Sequence, residues 1–192
     1  GLDLIIRRYV AAGDTVFVEE PGYYPLFGKL QLQGARMIAI PRQPDGPDIE
    51  TLEQKLRSER ARLFFVQSSG QNPTGSDISA EKARRIAKLA AMYNLLVVED
   101  DAVADIKTHS APKISAMDNL ANTLYVGSFS KSISASLRAG FIAGDINRIE
   151  ELADIKMLLH VSGCEYSERI LDVMLGEGHF LRHVVRLQEH AR

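Results

Sequence analysis

The sequence predicts an α/β fold: a three-layer, mostly parallel sheet with helices on both faces. Three observations carry this reading. Short apolar runs rich in β-branched and aromatic residues recur along the chain. They lack polar alternation, as strands covered on both faces do. Between them lie segments with apolar residues at helical spacing, and strands alternating with helices make a layered fold.

The elements come in a regular order. The chain opens inside a helical pattern, "GLDLIIRRYV", and the first strand is "TVFVE" (15–19). The second is "RMIAI" (36–40). A helix is expected in "PDIETLEQKLRSE", where Ile49, Leu52 and Leu56 share a face behind an Asp48 N-cap. The strand "RLFFVQ" (62–67) precedes the helix "SAEKARRIAKLAAMYN". That helix places Ala83, Ile86, Ala87 and Ala90 on one stripe, with Ser79 as N-cap and Glu81 near the positive dipole end. Strands "LLVVE" (95–99), "TLYVG" (123–127) and "GFIAG" (140–144) complete the set. From about Ile146 the pattern is helical only, so residues 1–145 are expected as the sheet domain and 146–192 as a helical segment leading out of it.

The 192 residues suit one compact domain or one domain with an appendage, and 45% hydrophobic with 25% charged content is ordinary for a globular protein. A net charge of -2 gives no footprint for nucleic acid or an anionic membrane. No apolar run approaches the ~20 residues of a membrane span. Cys164 stands alone, which excludes an internal disulfide and fits a reducing cytoplasm; it is expected as a buried filler. Gly1 starts mid-pattern and "FLRHVVRLQEHAR" lacks a stop signal, so a segment of a longer protein is expected.

Ligands of open α/β sheets sit beyond the carboxyl ends of the strands. Four such ends offer "EPGYY", "SSGQNPTG", Asp100-Asp101 and "SFSK". In "VGSFSKSISASLRAG", Lys131 sits among Ser128, Ser130, Ser132 and Ser134, with Arg138 seven residues on. A surface lysine needs no such setting, whereas a phosphate site or a nucleophilic lysine does. A P-loop would need glycine directly before the lysine, where Ser130 stands. The set suits a flat, phosphorylated, nitrogen-containing ring that bonds covalently to lysine.

On these residues the chain resembles the fold type I pyridoxal-phosphate enzymes, the class I/II aminotransferases. It is most similar to the aminotransferase-like domain of MocR-type regulators, a branch of the GntR family. The likeness runs from "GLDLIIRRYVAAGDTVFVEEPGYYPLF" through "QNPTG", "VVEDD" and "YVGSFSKSISASLRAG" to "EGHFLRHVVRLQ". It implies pyridoxal 5'-phosphate as cofactor and a large cofactor-binding domain. Lys131 would form the Schiff base with the cofactor aldehyde; an amine attacks only unprotonated, a form that nearby cationic charge and desolvation favour. Asp100 would meet the pyridine nitrogen and keep it protonated, so that the ring accepts electrons. Asn72 would donate to the phenolic oxygen, Tyr23 would stack on the ring, and Ser128, Ser130 and Arg138 would hold the phosphate.

Each residue also has a plainer reading. Asp100 and Asp101 suit a turn or an N-cap, Asn72 before Pro73 suits turn chemistry, and Tyr23 beside Tyr24 suits packing. His179 and His183 lie four apart, but no carboxylate pattern supports a metal, so a solvated helix face is expected. One departure from the family stands out. Relatives carry a tyrosine two or three positions after the ring-nitrogen aspartate, where this chain has Ala102 and Val103. Two functions therefore remain open. One is the effector-sensing, homodimeric domain of a transcription regulator, with DNA bound through a winged-helix domain upstream. The other is the large domain of a stand-alone aminotransferase acting on an amino acid and a 2-oxo acid. The small domain that selects substrate or effector would follow Arg192.

Overall fold

The strands are β1 (Thr15–Glu20), β2 (Arg36–Gln43), β3 (Gly46–Pro47), β4 (Ala61–Val66), β5 (Leu96–Asp101), β6 (Thr123–Ser128) and β7 (Gly140–Ala143). They form one seven-stranded sheet in the order β3-β2-β1-β4-β5-β6-β7 in the computed structural model, which describes residues 1–160 and 163–190. The central pairs are parallel, and the two edge strands β3 and β7 run antiparallel to their neighbours. The helices are α1 (Leu2–Tyr9), α2 (Tyr24–Leu32), α3 (Ile49–Ser58), α4 (Ala80–Tyr93), α5 (Ile114–Met117), α6 (Ile146–His160), α7 (Glu165–Gly176) and α8 (His179–His190). Short 3-10 turns lie at Ala104–Ile106 and Ala135–Leu137.

Strand alternation sends successive side chains to opposite faces, and both faces are covered. Phe17, Phe64 and Val97 pack with α3, α4 and α5 on one side. Val16, Val18, Phe65, Val98 and Leu124 pack with α1, α2 and α6 on the other. This makes the three expected layers. The expected caps are in place: Asp48 accepts from the Thr51 amide at 2.8 Å and Ser79 from the Lys82 amide at 3.3 Å.

Beyond residue 146, α6 lies against α1. Leu152 is buried there, the Tyr9 hydroxyl donates to Glu151 at 2.8 Å, and Arg8 pairs with Glu151 at 3.0 Å. Helix α8 returns to the carboxyl end of the sheet, where Phe180 meets Phe129 edge-on at 5.7 Å. Two expectations fail here. Cys164 is exposed at the N-cap position of α7, because only Ser167 and Leu171 of that helix are buried. His183 is no solvated residue: its Nε2 donates to the Ser132 carbonyl at 2.8 Å, which places a ring proton on that nitrogen. No group of three or more metal-binding side chains occurs among the described residues. No helix among the described residues is long and apolar enough to cross a membrane.

Candidate functional site

The sheet order sets the carboxyl ends of β1, β4, β5 and β6 side by side. Register pairs Val66 with Glu99, Asp100 with Val126 and Asp101 with Gly127, so Gln67, Asp100 and the β6 end face one region. Beyond β6 the chain folds into the β6–β7 hairpin. Ser128 pairs with Gly140, and the Phe129 amide donates to the Ala139 carbonyl at 3.1 Å. This closes the base of a loop that carries both Lys131 and Arg138. Glycine is required at both sides of that base: a Cβ on Gly127 would enter the Phe141 ring, and one on Gly140 would enter the Gly127 carbonyl. Arg138 adopts a left-handed conformation, φ 49°, at the end of the loop. Within it, the Ser130 amide donates to the Ser128 hydroxyl at 3.2 Å.

The adjacent carboxylates of β5 have different surroundings. Burial pushes the Asp100 carboxyl up to about 6, and the Asp101 charge adds to this. A hydrogen bond from Gln67 Nε2 at 3.1 Å acts against the rise. Asp101 is committed elsewhere: it is ion-paired with Lys113 and accepts from the Tyr125 hydroxyl at 2.9 Å. Lys113 in turn donates to Ser69 Oγ at 2.5 Å. Burial, ahead of the Asp101 charge, raises the Tyr125 hydroxyl, which stays a donor.

The Gln-Asn-Pro-Thr-Gly loop is held from within. The Asn72 amide donates to Gln67 Oε1 at 2.9 Å, and Thr74 donates twice to Gln71 Oε1. The Gly70 amide donates to Asp77 at 2.7 Å. Burial acts to raise Asp77, but Lys107, that amide and His109 together hold it down to about 2. Val103 packs on this loop, since a Cβ at Gly70 would lie 2.8 Å from its Cγ2. Tyr23 precedes α2 and shares a small pocket with Phe27, Phe65, Gln67 and Asp100.

The residues fit a phosphorylated pyridine. The side chains of Tyr23, Asn72, Lys131 and Arg138 make no hydrogen bond or ion pair among the described residues, and Asp100 has one oxygen engaged. They offer one aromatic face, one amide, one amine, one guanidinium and one carboxylate at the carboxyl ends of the adjoining strands β1, β4, β5 and β6. A cleft of about 930 Å³ opens at the opposite end, beside Tyr9, Arg60 and Asn122. Cleft size there does not coincide with the converging polar groups, and convergence of chemistry decides the site.

The family model for aminotransferase class I and II matches residues 1–191. The chain belongs to this family. A 2-aminoadipate transaminase of Thermus thermophilus is 30% identical over 183 residues, which is 92% of this chain and 46% of that protein. The probable rhizopine catabolism regulatory protein MocR of Rhizobium meliloti is 30% identical over 194 residues, 97% of this chain and 38% of that protein. A kynurenine aminotransferase of Pyrococcus horikoshii, solved in complex with PMP, superposes with a TM-score of 0.94 at 26% identity. That match covers 98% of this chain and 48% of the other. The chain thus spans about half the length of its relatives. It is an aminotransferase-like domain, similar both to transaminases and to MocR-type regulators, and the family match supports pyridoxal phosphate as its cofactor.

Gln67 is the site residue that sequence reading passed over. Its signal was a polar side chain closing the otherwise apolar run "RLFFVQ".

Proposed function

We propose that this chain is the pyridoxal-phosphate-binding, effector-sensing and dimerising domain of a MocR/GntR-type transcription regulator. The observation that carries the cofactor reading is that Asn72, Asp100, Lys131 and Arg138 lie at or just beyond the carboxyl ends of the adjoining strands β4, β5 and β6, their side chains nearly free of other protein partners. The cofactor, when bound, supplies an aldehyde for an amine and a ring that withdraws electrons from carbon. The chain's residues do the holding. Arg138 and the hydroxyls of Ser128 and Ser130 bind the phosphate, the guanidinium as a permanently charged fork. Asp100 holds a proton at the pyridine nitrogen, an ion pair that offsets the burial of its carboxylate. Asn72 donates to the phenolic oxygen and Tyr23 covers one ring face. Lys131 provides the amine and takes or returns a proton at its Nζ.

The residues just after Asp100 support the regulator reading. Neither Ala102 nor Val103 carries a hydroxyl, and Val103 packs on Gly70. A site short of that donor keeps its binding groups and loses help in the chemical step. The likeness to the MocR protein over 97% of this chain agrees. The second reading, the large domain of a stand-alone aminotransferase, is supported by the unbroken Asn72, Asp100, Lys131 and Arg138 set and by the likeness to kynurenine aminotransferase.

Pyridoxal phosphate added to the full-length protein is expected to give a visible absorption band, which borohydride bleaches as it reduces the imine and fixes the cofactor onto Lys131. A Lys131→Ala protein that keeps the band would sink the assignment. Cofactor-dependent binding of an operator DNA, with slow or absent transamination, is the outcome for the regulator. Brisk multiple turnover without DNA binding selects the enzyme.

A further inference from the structure

One side chain at this strand end has every polar group engaged. Gln67 Nε2 donates to Asp100 Oδ2 at 3.1 Å, and its Oε1 accepts from the Asn72 amide at 2.9 Å. Its own amide donates to Glu19 Oε2 at 2.9 Å, and its carbonyl accepts from Arg42 Nη1 at 2.9 Å. Arg42 and Glu19 are ion-paired across β2 and β1, with side-chain exposures of 0% and 3%. Arg42 further donates to the Ser76 hydroxyl at 3.1 Å and the Ser76 carbonyl at 3.2 Å. An ion pair this deep gains little net stability over apolar packing, yet losing one partner is costly. Its geometric effect is definite: it clamps the Gln67 backbone from both sides.

We infer that Gln67 is a positioning residue, clamped by the buried Arg42–Glu19 pair, that locks the Asp100 carboxylate and the Asn72 backbone into one spacing. The inference rests on the reading of Asp100 and Asn72 as the groups that meet the ring nitrogen and phenolic oxygen. Those two contacts bind one rigid ring, so their separation must match it before binding, and a misplacement of ~1 Å at such a site is expensive. Gln67 is the side chain that spans both. Its donor also favours the ionised form of Asp100, the form a protonated pyridine needs. The charged groups facing Asp100 are Glu19 from β1 and Asp101 on its own strand. Among the described residues neither of these donates a hydrogen bond to it, so Gln67 is its side-chain donor.

Two substitutions in the cofactor-free protein separate the two bonds. Gln67→Leu removes both. Gln67→Glu keeps an acceptor for the Asn72 amide and sets a second carboxylate beside Asp100. Carboxyl NMR reads the Asp100 titration, and hydrogen exchange reads the Asn72 amide. In Gln67→Leu, Asp100 is expected to titrate at higher pH and the Asn72 amide to exchange about tenfold faster, the loss of one well-placed hydrogen bond. In Gln67→Glu, the Asp100 titration should rise further while Asn72 exchange stays as in the unmodified protein. An Asp100 titration that neither substitution moves would overturn the inference, as would Asn72 exchange that Gln67→Glu accelerates. Should Gln67→Leu fail to fold, Gln67→Glu decides alone. Cofactor capture on Lys131 tests the parent reading separately. Its failure would leave these cofactor-free measurements to stand or fall by themselves.

Discussion

Asp100 and Asp101 are neighbours in sequence with opposite consequences for the fold. A carboxyl raised to about 6 binds its proton more tightly folded than unfolded. The stability cost is therefore absent below pH ~4, grows between about 4 and 6, and is complete above. At about 1.4 kcal/mol per pH unit it reaches roughly 3 kcal/mol. Asp100→Asn is expected to raise the unfolding midpoint of the cofactor-free protein at pH 7.5 and to leave it nearly unchanged at pH 4. Asp101→Ala should do the reverse at pH 7.5, lowering stability on the order of 3 kcal/mol, because Lys113 and the Tyr125 hydroxyl lose their buried partner. Urea unfolding of both variants checks the pair, and destabilisation by both would mean that Asp100 is a structural residue. Sequence reading chose Asp100 over Asp101 from family position alone. What separates them is which face of β5 each occupies, and the alternation of a buried strand with two acidic residues at its end does not reveal that. Gln67 escaped for a related reason, since its role exists only once β1, β2 and β5 are brought together around it.

Among the elements, those with strong local signals were legible. The parallel strands read as unbroken apolar runs because helices cover both faces, and α3 and α4 announced themselves by stripe and cap. The two-residue β3 has too little chain to carry a pattern, and α2 holds Pro25 and Gly28 within nine residues. The docking of α8 was invisible because, apart from Phe180 on Phe129, it uses polar side chains at single points. His183 holds the Ser132 carbonyl, and Gln188 Nε2 donates to the Asp105 and Lys107 carbonyls at 2.9 and 2.8 Å. This helix thus braces the loop bearing Lys131 from behind. His183→Ala is expected to cost about 1 kcal/mol of stability, the net worth of one hydrogen bond. The more telling measurement is exchange of the Ile133 amide, which donates to the Phe129 carbonyl at 2.8 Å inside that loop. Faster exchange there, with β5 amides unchanged, is the expected outcome. Uniform acceleration across the sheet would show that α8 supports the fold at large and not the loop.

At the scale of the whole molecule, the site residues fall into two groups by solvent exposure. Asp100, Tyr23, Ser128 and Ser130 are partly buried, whereas Asn72, Lys131 and Arg138 stand exposed at the sheet's carboxyl end. The same surface region carries Phe141 at 47% exposure, beside the hairpin base. An amine and a guanidinium that both stand exposed to water bind an anionic ligand weakly, because salt screens them and water competes for each hydrogen bond. Covering that end removes both losses, and the relatives, with about twice this length, have the chain to do so. The homodimer proposed for the full-length protein would add a partner's surface at the same place. The contacts to phosphate, ring nitrogen and ring oxygen act as a unit, so their effect on affinity exceeds what the groups reach singly. The 192-residue chain alone is therefore expected to capture pyridoxal phosphate at least about tenfold more weakly than the full-length protein, a difference of roughly 1.4 kcal/mol. Titrating both with cofactor, reducing with borohydride and quantifying the label on Lys131 measures this directly. Added salt should weaken capture by the short chain more than capture by the full-length protein, since buried charges are screened less. Equal affinities with equal salt dependence would mean that the pocket is complete within these residues, and the proposed contribution of the remaining chain and of a second subunit would be wrong.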